Sequence, residues 1–228
     1  ACTQNAGLLI DHVPNADPRF SAVVARCLRR QSSERYASGE ELREALEQLS
    51  PQSRKIATPE GNPYRGLFAF EAEHRALFFG RNNESGTVLE RLRTEPFVLV
   101  AADSGIGKSS LCRAGLIPLI CEGELGGGRQ WQVLSLVPGR APLASLAAAI
   151  APLLGMTEAD LTTQLAVQPA CLANHLRRYV GQDLGVVLFI DQLEELITNA
   201  APAEAALVGQ ALGRLTNPIP GVRMLMTA

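Results

Sequence analysis

The sequence predicts an α/β fold, a parallel sheet held between two layers of helix, preceded by a separate pair of helices. Three observations predict it. The apolar run Phe97-Val-Leu-Val-Ala-Ala102 passes through a glycine-rich turn straight into a helical repeat. A second run, Val186-Val-Leu-Phe-Ile190, ends on Asp191. Both lack polar alternation, as strands buried on both faces do, and stretches of helical spacing lie between them.

The bulk properties narrow the function. With 228 residues the chain has room for one full α/β domain and part of another. Its hydrophobic content of 46% is ordinary for a globular protein. A net charge of −2 gives no electrostatic footprint for nucleic acid or an anionic membrane surface. Arg29-Arg30 and Arg177-Arg178 are too short for a basic patch and read as solvated helix faces. The five cysteines, Cys2, Cys27, Cys112, Cys121 and Cys171, include no C-x-x-C pair, so reduced thiols in a cytoplasmic protein are expected. His12, His74 and His175 stand alone and read as structural or surface residues. No stretch reaches the roughly 18 to 20 apolar residues that span a bilayer; Leu143 to Leu154 is shorter and contains Pro152. No signal peptide opens the chain. A start at Ala1 and a stop at Ala228 within an apolar run predict a fragment of a longer protein.

In chain order, Asp17-Pro18 is a helix start, because Asp can cap and Pro at the first helical position loses no needed donor. Phe20, Val23, Val24, Cys27 and Leu28 then recur at helical spacing. Ser38-x-x-Glu41 reads as a capping box opening a second helix, with Leu42, Ala45, Leu46 and Leu49 as its buried stripe. Two helices in about fifty residues bury too little surface for a core of their own. Pro51, Pro59 and Pro63 punctuate a polar stretch without periodicity, so 51–62 is a linker between a unit at 1–50 and a domain at 63–228.

The central motif is Asp103-Ser-Gly-Ile-Gly-Lys-Ser-Ser110, between a strand and a helix, which is the context of a phosphate-binding loop, or P-loop. Gly105 and Gly107, flanking Ile106, let backbone amides approach phosphate oxygens, and the helix beginning near Lys108, with Ser110 in its first turn, adds its positive end to the anion site. Lys108 supplies a point charge for the β and γ phosphates, and the Ser109 hydroxyl is the Mg²⁺ ligand. ATP and Mg²⁺ are therefore the expected cofactors. The motif G-x-x-x-x-G-K-[ST] wants glycine where this chain has Ala102. Alanine excludes only a strongly left-handed backbone, so weakened or reshaped binding is expected rather than loss.

Asp191, at the C-terminal end of what should be a neighbouring strand, is placed to hold Mg²⁺ through water. Glu194 and Glu195 follow, and one of them, Glu195 more readily, can orient or deprotonate an attacking water. Acidic residues are also favoured in a first helical turn by the helix dipole alone. Further strands are expected at Trp131 to Pro138 and Val222 to Thr227, with a turn at Gly126-Gly-Gly128. Between them Leu143, Leu146, Ala147, Ile150 and Leu154 form an amphipathic helix.

Two resemblances accompany these readings. Asp17-Pro-Arg-Phe, Val24-Ala-Arg-Cys-Leu28, Ser33-Glu-Arg-Tyr-Ala-Ser38 and Glu41-Leu-Arg-Glu-Ala-Leu46 resemble the C-terminal end of a bacterial Ser/Thr protein kinase. The resemblance implies that Arg35 fills that family's buried arginine position; the kinase's glycine-rich loop, H-R-D loop and D-F-G site are not in this sequence. Asn62-Pro-Tyr-Arg-Gly-Leu67 with Leu77-Phe-Phe-Gly-Arg81, the P-loop, and Asp191-Gln-Leu-Glu-Glu-Leu196 resemble the STAND class of signalling P-loop NTPases, specifically its novel group. That resemblance implies that Phe79, Gly80, Arg81 and Glu84 line the base and ribose side of the nucleotide. It also implies four strands in the chain order P-loop, second, Walker B and sensor.

The expected function is an ATP-Mg²⁺ switch attached to a protein kinase, signalling to its own kinase domain, to protein partners or by self-association. A non-hydrolysing, nucleotide-bound scaffold is the alternative. A small-molecule kinase fits less well, since a water-activating glutamate is wasted on an acceptor hydroxyl.

Overall fold

The computed structural model describes residues 7, 9–13, 16–47, 49, 64–66 and 68–228. The chain divides into two compact units, Ala1–Ala57 and Thr58–Ala228. The linker expected at 51–62 and Cys2 lie outside the described residues.

The first unit contains helices α1 (Leu9–His12), α2 (Pro18–Cys27) and α3 (Gly39–Glu47). Asp17 caps α2 as expected, its Oδ1 accepting the Arg19 N–H at 2.7 Å. The Ser38 hydroxyl accepts the Glu41 N–H at 3.1 Å. The return half of the capping box goes elsewhere: the Glu41 carboxylate accepts the Ala37 N–H at 2.6 Å and the Arg26 guanidinium at 2.6 Å, the charged donor drawing it off the Ser38 amide. Phe20 and Leu28 stay exposed, and so does Leu46, expected in the buried stripe of α3; helices this few cannot cover their own apolar faces. Arg35, which the kinase resemblance implies is buried, is instead exposed and donates to the Arg29 carbonyl at 2.7 Å.

In the second unit a 3₁₀ turn at Ala72–Leu77 precedes α4 (Asn82–Thr94) and β1 (Phe97–Val100). The glycine-rich loop then enters α5 (108–121), which is α-helical at Lys108–Ser110 and Ile117–Cys121 and widens to a π-helix over Leu111–Leu116. Pro118 has no N–H to donate to the Ala114 carbonyl, which favours such widening just upstream. There follow β2 (Gln130–Leu136), α6 (Pro142–Leu154), α7 (Glu158–Val167), α8 (Cys171–Val180), β3 (Leu184–Ile190), α9 (Glu195–Thr198), α10 (Pro202–Gly213) and β4 (Val222–Thr227). Helix α6 ends on Gly155, whose φ of 64° suits a residue without Cβ.

The four strands are parallel in the order β1-β4-β3-β2. Alternate residues of β3 feed two cores. Val186, Leu188 and Ile190 pack with Leu146, Ile150, Leu161, Leu165 and Leu176 of α6 to α8. Val187 and Phe189 pack with Leu92 of α4 and Cys112, Leu116 and Ile120 of α5. Three layers result, with β3 buried along nearly its whole length. At the opposite end from the glycine-rich loop, Arg129 and Arg223 tie strand starts to helix ends. Arg129 donates to the carbonyls of Gly181 and Leu184 at 2.9 and 2.8 Å, and Arg223 to that of Leu92 at 2.7 Å. No helix among the described residues is long and apolar enough to cross a membrane.

Candidate functional site

All four strands point the same way, so their C-terminal ends share one edge of the sheet, where open α/β sheets place their ligands. Three of those ends converge. The glycine-rich loop leaves β1, Asp191 follows β3, and Thr227 closes β4. The strand carrying Asp191 is not next to β1, as expected from the sequence, but next but one, because β4 inserts between them. Helix α5 spans the difference: Ser109, in its first turn, donates its hydroxyl to Asp191 Oδ1 at 2.8 Å.

Asp191 is 1% exposed and its carboxylate is fully engaged. Oδ1 also accepts the Thr227 hydroxyl at 2.6 Å, and Oδ2 accepts Arg113 Nε at 3.0 Å, with Nη2 2.8 Å away. Such partners offset the cost of burying a carboxylate. Arg113 Nη1 continues to Glu71 Oε1 at 2.7 Å. Burial opposes the charge on Arg113, but the hydrogen bonds to Glu71 and Asp191 and their negative charges outweigh it, raising its pKa above the ordinary arginine value. Cys112, beside this group, is pushed up to about 12, by burial first and by the Asp191 charge second.

The loop itself is open. Residues 101–107 are exposed, Gly105 and Gly107 have φ of 85° and 89°, and a Cβ on either would meet no atom within 4 Å. Lys108 Nζ lies back across the loop, donating to the carbonyls of Ala102 at 2.6 Å and Asp103 at 3.0 Å. Ala102 is not among the positive-φ residues, so alanine sits there without left-handed strain. Ser110 accepts the Phe70 N–H at 3.1 Å, which joins the segment before α4 to the loop helix. Gly80 is exposed with φ of 79°. Arg81 pairs with Glu84 at 3.3 Å and reaches the Ile106 carbonyl at 3.5 Å.

The two glutamates part company. Glu194 is exposed, whereas Glu195 is half-buried and its Oε2 accepts the Gly139 N–H at 2.9 Å, binding α9 to the loop after β2. Between them and Asp191, Gln192 has φ of 57°, the one positive-φ residue other than glycine among those described. Sequence reasoning missed Arg113, Thr227 and Glu71. Arg113 was findable, since it stands four residues after Ser109 and shares its helix face. Thr227 was the one polar end of an apolar strand; Glu71 carried no signal.

A family model, Novel STAND NTPase 1, matches residues 63–228. The chain belongs to that family. Its second unit is therefore a nucleotide-binding NTPase module of the novel STAND kind, on an α/β fold with a parallel sheet. No match was found among curated proteins. Among solved structures, the ORC2 protein of Aeropyrum pernix, determined as ADPNP–ADP complexes, is similar at 14% identity with a TM-score of 0.44. The match covers 78% of this chain and 45% of that one, so this chain spans less than half of that protein's length.

Proposed function

We propose that this STAND module binds ATP with Mg²⁺ in the glycine-rich loop and works as a hydrolysing signalling switch. The observation that carries the reading is the 2.8 Å hydrogen bond from Ser109 to Asp191, which brings together residues 82 positions apart. These residues fit the expected group. A hydroxyl that donates to Asp191 keeps its lone pairs for a cation, and hydroxyl with carboxylate is the all-oxygen donor set that Mg²⁺ favours. The open arc of Gly105, Ile106 and Gly107 leaves its amides accessible to phosphate oxygens, and Lys108 can exchange two carbonyls for a phosphate. Bound Mg²⁺ would neutralise charge on the β and γ phosphates. Ser109 would hold it directly and Asp191 through water, Gly105 to Ser110 would hold the phosphates, and Gly80 with Arg81 the base and ribose side.

For hydrolysis, Glu195 is the candidate to orient water, with Glu194 the more exposed alternative. The first unit reads as the last helices of a Ser/Thr protein kinase, a reading supported by the Asp17 cap and by helices at the expected places. The output would then be the chain's own kinase, a protein partner or self-association. One observation favours a non-hydrolysing scaffold instead: the Glu195 carboxylate is already committed to the Gly139 amide.

Titration of a fluorescent ATP analogue with Mg²⁺, on this chain and on Lys108→Ala, tests the reading. Saturable binding that the variant loses is expected. A folded chain that binds nothing, or a variant that binds as well, overturns it.

A further inference from the structure

We infer that Arg113 is a positioning residue for the metal-side carboxylate, and that through Glu71 it couples the segment preceding α4 to the metal half of the site. The inference rests on the P-loop reading above. Ser109 and Arg113 stand four residues apart on α5 and address opposite oxygens of the same carboxylate, Ser109 on Oδ1 and Arg113 on Oδ2. Thr227 adds a second donor to Oδ1. With the Nε and Nη2 groups of one planar guanidinium on Oδ2, the carboxylate plane is fixed at both ends, so its rotation cannot turn Oδ1 away from Ser109.

The wide helical turn at Leu111–Leu116 contains Arg113, and turns of this kind are frequent at functional sites. The same guanidinium uses Nη1 to hold Glu71 at 2.7 Å. One residue away, the Phe70 amide is tied to Ser110. The segment is thus joined to the loop helix at two points just after Ser109, and a displacement of Glu71 is passed to Asp191 through one rigid, planar cation. Magnesium-assisted binding depends on Asp191 orientation; phosphate binding by the loop amides and Lys108 does not. Groups that orient ligand-bearing side chains typically change metal affinity by about 10 to 100-fold when removed.

The test measures nucleotide affinity of the 228-residue chain with a fluorescent ADP analogue, in excess EDTA and in Mg²⁺, for wild type, Arg113→Gln, Glu71→Gln and the double variant. Arg113→Gln should cut the magnesium-dependent gain in affinity at least tenfold while EDTA affinity stays within twofold. Glu71→Gln should lose a smaller part of that gain. The double variant should be no worse than Arg113→Gln, because both act through one guanidinium. Should Arg113→Gln fail to fold, Glu71→Gln at a partly exposed site carries the test alone. Wild-type magnesium dependence in Arg113→Gln, or equal losses in EDTA and Mg²⁺, overturns this inference and leaves the P-loop reading standing. A folded wild type that binds no nucleotide overturns both.

Discussion

The Thr227 hydroxyl joins two turns of the site: it donates to Asp191 Oδ1 at 2.6 Å and accepts the Gln192 N–H at 2.9 Å. It is fully buried at the last position of β4, so water cannot replace its bond to the buried Asp191 carboxylate. Thr227→Val keeps the volume and removes both bonds. Leaving a buried carboxylate lone pair unpaired, and the Gln192 amide without this acceptor, should cost about 1–3 kcal/mol. Denaturant unfolding should show a lowered midpoint at unchanged slope, and an unchanged midpoint would refute the argument.

Two glycine substitutions separate loop chemistry from general stability. Gly107, at φ 89°, faces open space, so an added methyl meets no atom and only the backbone objects. Gly107→Ala should cost about 1–2 kcal/mol of left-handed strain or flatten the loop, weakening nucleotide affinity by about tenfold. Gly209 lies exposed inside α10, also with free space around it but without positive φ. Gly209→Ala should add about 0.4–1 kcal/mol of stability and leave affinity alone. Equal effects on affinity would mean that Gly107 has no special place in the site.

Much of this is legible in the sequence. The run Val222 to Thr227 became β4 residue for residue, and Val186 to Ile190 became a strand buried on both faces. Phe97 to Val100 also became a strand, but at the edge of the sheet, with Phe97 and Leu99 exposed instead of buried on both faces as its apolar run predicted. Position in the sheet is not written in local pattern. The loop was legible because only Gly105 and Gly107 permit its left-handed turns, and those positions were glycine. Strand order was not: local pattern carries no information on β4 inserting between β1 and β3, and the geometry of Asp191 follows from that insertion. The Glu195 contact was also hidden. Its partner Gly139 stands 56 positions away, and helix-dipole preference alone would place an acid at that turn.

Cys112 gives a chemical check on the packing beneath the loop. It is fully buried in the α4–α5 core, and its thiol is pushed up to about 12 by burial and the Asp191 charge. At pH 8 it should resist iodoacetamide in the folded protein, while exposed Cys121 reacts. The unfolded chain loses the Cys112 proton near pH 9 and the folded chain does not. Stability should therefore fall as pH rises from about 9 towards 12, and less so in a Cys112→Ala variant. Rapid labelling of Cys112 at pH 8 would place it outside the core.

The choice between switch and scaffold turns on Glu195. Glutamine keeps a carbonyl oxygen that can accept the Gly139 N–H, so Glu195→Gln should preserve the α9 contact and the fold. It removes the basicity needed to orient and deprotonate water, a contribution of typically 10²–10⁴-fold in rate. In a hydrolysing switch, this variant should retain ATP at wild-type affinity while turnover falls at least about a hundredfold. Glu194→Gln, at the exposed position, should lose less than threefold. A wild type that binds ATP without turnover, and a Glu195→Gln variant indistinguishable from it, would assign the carboxylate to holding the loop after β2. The bound nucleotide would then be part of the scaffold.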